Sequence, residues 1–437
     1  MSSRPGINVI GFISGNLGIG VVARQLVKTL AARGHPVAAL DLDPGQGRAG
    51  FDMSASMHFV ASEADLPHDI NIWVVGADQL VLRARQVCQS PRLQSQFNAM
   101  YVWWELPHVP AHWVAAARVF DTLIAGSEFV QETLRNAVPG VPVLLASTPV
   151  ALPNGVMPAR GRFGLPGDGF LAFLGFEPAS DPERKNPFAG IYAFKSAFLG
   201  RQDTRLVIKL NNAGAEPRAQ DRVKQLEQLA AEDDRLILIK DRLPYDELLG
   251  LYALCDVTIS LHRSEGLGLI PLEGMRLGRP AVATGWSGNM TYMTHANSAL
   301  VRFSFRAIDD ASMYYSPRST GIHSFWAEPD LEHAAALLRW LSSDRDALAA
   351  MSAAAARDAA EYNHRALQAA FIDEVVALHA RRHLVSTRNF DRLFDAISSA
   401  IEDLAWRGKT RSEQFAARLR WRTQAVARAL GIGESAR

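Results

Sequence analysis

Short apolar runs recur along the first two thirds of the chain, and stretches with helical spacing separate them. One group of runs lies at 7–13, 36–43, 69–75, 99–105, 122–127 and 141–147. A second group lies at 170–176, 204–210, 234–240, 255–261 and 280–284. Continuous apolar runs of this length are typical of parallel strands that are buried on both faces, with helices covering the sheet. The pattern therefore predicts an α/β fold with two doubly wound sheets.

A stretch rich in proline and glycine, 149–169, interrupts this pattern and predicts a domain boundary. We expect a Rossmann-like domain at 1–160, a second one at 161–360, and a helical segment at 361–437 that partly crosses back to the first domain. Ligands of such sheets bind at the carboxyl ends of the strands. The predicted site is therefore a cleft between two facing domains.

Composition excludes some classes of function. Among 437 residues, 46 Lys and Arg balance 45 Asp and Glu, so we expect no nucleic acid partner. Only two cysteines occur, far apart, which predicts neither a zinc site nor a disulfide framework and fits a reducing cytoplasm. We see no signal peptide at the N-terminus and no apolar run of about 18 residues, so we expect no transmembrane helix.

A glycine-rich loop follows the first predicted strand. Gly15, Gly18 and Gly20 lie between that strand and a helix, and Asp41 or Asp43 follows the next strand. An NAD-dependent oxidoreductase would use such a loop for the pyrophosphate and such a carboxylate for the ribose. The glycine order differs from the usual G-x-G-x-x-G, but this alternative stays open.

The segment HRSEGLGLIPLEGMRLGRP, 262–280, contains the most informative motif. Glu265 and Glu273 stand eight positions apart, at the junction of a predicted strand, a loop and a helix. Gly266 and Gly268 let a ligand approach the backbone closely, and a helix N-terminus offers free N–H groups to phosphate. The two carboxylates are good acceptors for sugar hydroxyls. The alternative is that both glutamates merely favour a helix N-terminus.

This motif, together with the segment 275–293, resembles the signature of retaining glycosyltransferases of the GT-B fold, glycosyltransferase family 4 (group 1). Leu267 stands where phenylalanine is commoner in that family. The resemblance implies that Glu265 contacts the donor hexose and Glu273 the nucleotide ribose. The further donor contacts that we predict on this basis are Gly18, Lys209, His262, Gly266, Leu267, Gly268, Ser287, Gly288 and Asn289.

A basic pair in the second half supports the same interpretation. Arg184 and Lys185, in the segment 182–194, resemble the residues that such enzymes place on the donor diphosphate. A metal-free site must neutralise the charge of that leaving group with Arg and Lys. The alternative is that both are solvated surface charges.

The segment MYVWWELPHVPAHW, 100–113, combines aromatic rings, a carboxylate and histidines after a strand, as an acceptor-sugar site requires. The resemblance places Glu105 near the reaction centre, where better-known relatives have a histidine. We predict acceptor contacts from Trp104, His108 and, after another strand, Asp78. One of the two tryptophans is expected in the core, because neighbouring residues of a strand alternate.

The last stretch, 404–437, is basic and has apolar residues on one helical face. Such a helix lies readily on an anionic membrane, so we predict a possible peripheral contact with the inner membrane face. The alternative is a terminal helix that packs across its own domains.

Taken with the resemblance, these observations predict a metal-independent, retaining hexosyltransferase without a cofactor. It would use a nucleoside-diphosphate sugar and a glycan or lipid-linked acceptor, in surface polysaccharide biosynthesis. The predicted catalytic residues are Glu105, Arg184, Lys185 and Glu265. The alternatives are a sugar phosphorylase or epimerase of the same fold, the NAD-dependent oxidoreductase, and a non-catalytic sugar-binding subunit.

Overall fold

Two six-stranded sheets form the framework of the protein. The computed structural model describes residues 4–43, 49–150, 152, 156, 158–178, 180–211, 220–312, 314–382 and 388–407. The strands of the two sheets are β1 Ile7–Gly11, β2 Val37–Asp41, β3 Ile70–Val74, β4 Phe97–Val102, β5 Thr122–Ala125, β6 Val143–Leu145, β7 Phe170–Phe176, β8 Thr204–Leu210, β9 Leu236–Ile239, β10 Val257–Ser260, β11 Ala281–Thr284 and β12 Ala299–Val301.

The strand order is that of two doubly wound domains. The first sheet has the order β2-β1-β3-β4-β5-β6 and the second β12-β11-β10-β7-β8-β9. All pairings within both sheets are parallel. Each apolar run in the two predicted groups overlaps one of these strands, and β4 begins two residues before its predicted run. The predicted fold class is thus confirmed.

Helices and one further pair of strands complete the chain. The pair is β13 Phe303–Ala307 with β14 Phe325–Pro329, which are antiparallel. The helices are α1 Gly18–Ala32, α2 Leu80–Gln89, α3 Pro91–Ser95, α4 Ala111–Ala117, α5 Glu128–Ala137, α6 Pro182–Lys185, α7 Pro187–Ala197, α8 Gln220–Glu232, α9 Tyr245–Leu254, α10 Leu269–Arg276, α11 Pro317–Thr320, α12 Leu331–Ser343, α13 Arg345–Gln368, α14 Ala370–Arg381 and α15 Phe390–Arg407.

Alternating strand residues of the first sheet enter two separate cores. On one face, Ile10 and Met100 pack with residues of α2, α4 and α15. On the other face, Val9 and Ile72 pack with α1 and with α14. Because helices cover both faces, the strands of this sheet are mainly apolar on both sides instead of alternating between apolar and polar residues.

Buried asparagines fix the register of the central strands of the first sheet. Asn8, Asn71 and Asn98 lie at paired positions of β1, β3 and β4. Asn8 Nδ2 donates to Asn71 Oδ1 at 2.8 Å, and Asn71 Nδ2 donates to Asn98 Oδ1 at 3.1 Å. A slip of one residue would leave these buried amides without partners, which would cost about 1–3 kcal/mol for each group.

The chain passes from the second domain back to the first at Ala369. This residue has a left-handed backbone, with φ of 47°, and separates α13 from α14. Phe371, Ile372 and Val375 of α14 are buried in the core of the first domain. The predicted boundary at 160 falls between β6 and β7, whereas the predicted boundary at 361 falls inside α13.

The basic stretch that we predict to contact a membrane, 404–437, lies outside the described residues except for the end of α15. Among the helices that the structure describes, none combines the length and the apolar character that crossing a membrane requires.

Candidate active site

The loop between β10 and α10 is held in place by a second loop that follows β11. The backbone N–H of Glu265 donates to Ser287 Oγ at 2.8 Å, and Gly288 N donates to the carbonyl oxygen of Glu265 at 2.9 Å. A Cβ atom on Gly288 would lie 2.1 Å from the carbonyl oxygen of Gly266. The two loops therefore fit together only because position 288 has no side chain.

Four charged side chains from three parts of the chain meet beside this loop. Glu265 Oε1 lies 2.6 Å from Lys185 Nζ, and Glu265 Oε2 lies 3.1 Å from an Arg184 nitrogen. Another Arg184 nitrogen lies 3.7 Å from Glu105 Oε1. The structure thus brings together all four residues that the sequence predicts as catalytic. Their roles stay predictions.

The two cations of this cluster have different surroundings. Arg184 is buried, with 7% of its side chain exposed, and it also donates to the carbonyl oxygen of Ser264 at 2.9 Å and to Ser180 Oγ at 3.3 Å. Lys185 has 24% of its side chain exposed, and among the described residues it pairs with one carboxylate, that of Glu265. Lys185 is therefore the cation with donors available to a ligand.

Burial and charge act in opposite directions on this cluster. Burial by itself raises the pKa of Glu265, but Lys185 and Arg184 outweigh it and lower the pKa to about 2. Burial likewise lowers the pKa of Arg184, but Tyr315, Glu105 and Glu265 hold it above its ordinary value. Glu265 therefore stays ionised at any physiological pH.

Glu105 has two partners that sequence analysis did not identify. Tyr315, which is 8% exposed, donates its hydroxyl to Glu105 Oε2 at 2.8 Å. Ser264 Oγ donates to the carbonyl oxygen of Glu105. Neither contact has a sequence motif, since more than 150 residues separate the partners along the chain in both cases.

The second glutamate of the motif, Glu273, lies in α10 and is 6% exposed. Tyr245, at the start of α9, donates to Glu273 Oε1 at 3.0 Å. Burial raises the pKa of Glu273 to about 7, although hydrogen bonds from Tyr245 and Tyr252 oppose the shift. A carboxyl group with this pKa changes its protonation state near neutral pH.

Three side chains predicted to contact the donor support the loop from inside instead. His262 is fully buried, and its Nε2 lies 3.1 Å from Asn289 Oδ1. Asn289, also fully buried, donates to the carbonyl oxygen of Thr284 at 3.0 Å. Leu267 is 2% exposed in the apolar core around α10 and α13. Because these groups already have partners in the core, their side chains present no open surface to a ligand.

The other predicted contacts of the donor are distributed around the cleft. Gly18 begins α1, and a Cβ atom there would lie 3.5 Å from Leu269 at the start of α10, so the N-termini of the two helices lie close together. Gly268 has φ of 85°, which favours glycine. Lys209 is 6% exposed and donates to the carbonyl oxygen of Leu210, and burial lowers its pKa to about 8.

On the acceptor side, Trp104 is not placed as predicted. It is 3% exposed, and its ring packs against Trp113 and Tyr315 with centroid distances of 4.5 and 5.5 Å. Its Nε1 donates to the carbonyl oxygen of His108 at 2.8 Å. Trp104 is therefore the core member of the pair, which leaves no ring face for a sugar. His108 and Asp78 are exposed, and their roles stay predictions.

Backbone groups of the glycine loop after β1 already form hydrogen bonds with side chains of the protein. Arg24 donates to the carbonyl oxygens of Ile13 and Gly15, at 2.6 and 3.1 Å. Ser14 N donates to Asp41 Oδ1 at 2.9 Å. The carboxylate that an NAD ribose would require thus already bonds to the loop.

Comparisons with known proteins agree with this geometry. Residues 185–310 match the family model described as glycosyl transferases group 1. The D-inositol 3-phosphate glycosyltransferase of Acidothermus cellulolyticus is 30% identical over 192 residues, which are 43% of this chain. The match spans 40% of that relative's length.

Solved structures show the same fold. Alr3699/HepE from Anabaena, in complex with UDP and glucose, has a TM-score of 0.59 at 14% identity, and the match covers 86% of this chain and 100% of that one. Sucrose-phosphate synthase from Thermosynechococcus elongatus has a TM-score of 0.61, also at 14% identity, with the same coverage of both chains. The chain has the GT-B fold, and the predicted resemblance to group 1 glycosyltransferases is confirmed.

Proposed function

We propose that this protein transfers a sugar from a nucleoside-diphosphate sugar to a glycan or lipid-linked acceptor, with retention at the anomeric carbon. The observation that carries the proposal is the buried contact of Glu265 with Arg184 and Lys185, in a loop that contacts Glu105 of the first domain through Ser264. A cluster with paired charges is suited to a ligand that brings both hydroxyl groups and a diphosphate.

The proposed reaction is a displacement on one face of the sugar. The acceptor hydroxyl forms the new bond to the anomeric carbon while the bond to the diphosphate oxygen breaks, and the hydroxyl proton passes to that oxygen. Lys185 stabilises the negative charge that develops on the leaving group. Glu265 orients the sugar hydroxyls, Glu105 lies on the acceptor side, and Arg184 holds both carboxylates in place.

The first test is a thermal-shift panel of UDP, GDP, dTDP, ADP and NAD with the purified protein. A ligand at about 100 times its dissociation constant adds roughly 2.7 kcal/mol to the stability of the folded state. A shift with one nucleoside diphosphate, and none with NAD, is expected. A shift with NAD alone would overturn the proposal in favour of an oxidoreductase.

Turnover then separates an enzyme from a non-catalytic binding subunit. Because HepE was solved with UDP and glucose, UDP-glucose is the first donor to test, with oligosaccharides and inositol phosphate as acceptors. The anomeric configuration of the product by NMR tests retention, and full activity in EDTA is expected of a metal-independent enzyme. A product formed with free phosphate as acceptor would instead indicate a phosphorylase.

Glu273 provides the prediction that is most specific to donor binding. Glu273→Ala removes the carboxyl group assigned to the ribose, so we expect at least tenfold weaker binding of the nucleoside diphosphate by calorimetry. Glu232→Ala, in α8, is the control. Equal affinity in wild type and Glu273→Ala would remove Glu273 from the proposed site.

We further propose a place in surface polysaccharide biosynthesis, on the cytoplasmic side of the membrane, with the segment 404–437 as a peripheral contact. Sedimentation with anionic vesicles tests this contact in full-length protein and in a 1–403 variant. Equal binding by both proteins would contradict a role for the segment.

A further inference from the structure

Five aromatic side chains form a continuous cluster where the two domains meet. We name it the aromatic platform, and its members are Phe129, Trp286, Phe303, Phe305 and Phe325. The centroids of neighbouring rings are 4.7 to 6.4 Å apart. Phe129 belongs to the first domain and the other four to the second, so the platform bridges the domains.

The hairpin of β13 and β14 has two different faces. In the register of the hairpin, Arg306 pairs with Trp326 and Ser304 with Glu328, so these residues share one face. Trp326 and Glu328 attach this face to the rest of the protein. Trp326 is 1% exposed in the core of the first domain, and Glu328 accepts hydrogen bonds from Arg263. The opposite face carries the three phenylalanines of the platform.

The aromatic residues on that opposite face are not there to fill a core, because they are not buried. Phe305 is 56% exposed, and the other four rings are partly exposed. A contiguous exposed group of large apolar side chains is informative, because large patches of this kind often mark binding sites. The sequence of β13, FSFRA, thus places rings on a face that the protein itself does not cover.

The platform continues directly from the proposed donor site. Trp286 precedes Ser287, whose hydroxyl accepts a hydrogen bond from the backbone N–H of Glu265. The carbonyl oxygen of Trp286 lies 3.3 Å from His262 Nε2. On the other side, the ring of His108 lies 5.6 Å from that of Phe325. Since His108 follows Glu105 by three residues, the platform lies between the segments that we assign to donor and acceptor.

The chemistry of the platform fits sugar rings. All its members are aromatic, and the negative face of an aromatic ring attracts the C–H groups of a sugar, which neighbouring oxygens make electropositive. Polar groups that hydrogen-bond hydroxyls stand beside it, namely the exposed His108 and the exposed Glu128, which precedes Phe129. Helices that lie on a membrane also use Trp and Phe, but with Lys and Arg beside them, whereas the polar groups named here are a histidine and an acidic residue.

We propose that the aromatic platform is a remote acceptor subsite, which binds sugar rings of the acceptor beyond the unit that receives the transferred sugar. The acceptor is then an oligosaccharide rather than a single small alcohol. This inference rests on the proposed function, because only a glycosyltransferase gives the platform an acceptor to bind.

The test measures binding of defined oligosaccharides to the full-length protein at saturating UDP. Saturation-transfer NMR and calorimetry detect the binding. The probes are cellotetraose, maltotetraose, mannotetraose and chitotetraose. We expect at least one probe to bind, Phe305→Ala to weaken it about tenfold, and Phe305→Trp to retain it. Tyr192→Ala removes an aromatic ring of α7 that is 52% exposed, so it is the matched control and is expected to bind as wild type does.

The outcomes separate the subsite from the function. If UDP binds and none of the four probes does, or if Phe305→Ala binds them as wild type does, the subsite is wrong and the proposed function stands. If Phe305→Ala loses binding to phosphatidylglycerol vesicles, or a self-association seen by sedimentation, the platform contacts a membrane or a second copy instead. If a probe binds through Phe305 but none of the nucleoside diphosphates of the thermal-shift panel binds, the proposed function fails and the sugar site remains.

Discussion

Arg184 and Lys185 are consecutive residues of equal charge, yet their surroundings assign them different tasks. Arg184 is buried between Glu265 and Glu105, so its charge stabilises two carboxylates. Lys185 reaches the same Glu265 from a more exposed position. Removal of the arginine would leave buried charges unpaired, which typically costs about 3–5 kcal/mol. Removal of the lysine acts chiefly on the ligand.

We therefore predict that Lys185→Ala lowers kcat about a hundredfold, because a cation that meets developing charge is worth roughly 2.7–4 kcal/mol in the transition state. Steady-state kinetics with the donor identified by the nucleotide panel checks this. The melting temperature is expected to stay within a few degrees of wild type, as it should in the control Lys224→Ala, which alters an exposed lysine. An unchanged kcat would remove Lys185 from the reaction.

Glu273 gives a prediction about pH. Its pKa is about 7 in the folded protein, against an ordinary value of 4.5, because burial disfavours the carboxylate. The folded state therefore binds a proton more tightly than the unfolded state, and the stability due to this group is complete below pH 4.5 and is lost as the pH rises through 7. The shift corresponds to about 3 kcal/mol.

Glu273→Gln keeps an acceptor for Tyr245 and cannot ionise. We expect the ligand-free variant to match wild type near pH 4.5 and to be more stable by a few kcal/mol at pH 8, measured by urea unfolding. Glu128→Gln, at an exposed position, should show no such difference. A constant gap between variant and wild type at all pH values would contradict the raised pKa.

At the level of single residues, sequence analysis found the charged cluster but not its neighbours. Glu265 and Glu273 carry a spacing, and Arg184 and Lys185 form a basic pair after a strand, so each has a local signal. Tyr315 has none, because its contact with Glu105 exists only after the two domains meet. Trp104 was misplaced because strand alternation predicts one core tryptophan without saying which.

Among the elements, the loops after β10 and β11 act as a pair. Ser287 has φ of 77°, an unusual value for a residue with a side chain, and Gly288 follows it. This backbone brings the Ser287 hydroxyl to the N–H of Glu265 and packs Gly288 against Gly266. The geometry of the donor loop thus depends on a segment about twenty residues later in the chain.

Gly288→Ala tests this dependence. The added Cβ would lie 2.1 Å from the carbonyl oxygen of Gly266, so one loop must move. We expect loss of stability of about 1–3 kcal/mol, as overpacking usually costs, and at least tenfold weaker nucleotide binding by calorimetry. Gly161→Ala, where the added atom has open space, is the control. Wild-type affinity in Gly288→Ala would show that the loops are independent.

Sequence analysis predicted the buried strands and missed the others. Parallel strands covered on both faces are continuous apolar runs, and these gave the fold class. The run at β12 is only three residues long, too short to stand out. β13 alternates apolar and polar residues, FSFRA, and that period of two was the available signal. β13 has no buried residue, and the charged Glu328 interrupts β14, so neither strand gives the continuous apolar run that marks the parallel sheets.

For the whole molecule, α14 is a second connection between the domains, besides the linker that follows β6. Ile372 is fully buried in the core of the first domain, although it follows the entire second domain in sequence. We predict that Ile372→Ala lowers the free energy of unfolding by about 2–5 kcal/mol.

Hydrogen exchange measures where this loss occurs. Amides of β6 and of its neighbour β5 are expected to lose protection in Ile372→Ala, because α14 packs against β6, while β7 and β8 change little. Leu367→Ala, at a position that is 50% exposed, is the control. Undiminished protection in the first sheet would mean that α14 contributes nothing to it.

The return of the chain at Ala369 also has a consequence for biosynthesis. Roughly 225 residues separate the end of the first sheet from Phe371 of α14, and a ribosome that adds 5–20 residues per second needs about 11–45 seconds to make them. During this interval the newly made first domain lacks α14, so the apolar surface around β6 and Phe97, which α14 covers in the folded protein, is open to every neighbouring nascent chain. The order of the segments along the chain thus delays completion of the first domain until the second has been synthesised. During this time, the exposed face is a surface that chaperones at the ribosome exit would bind.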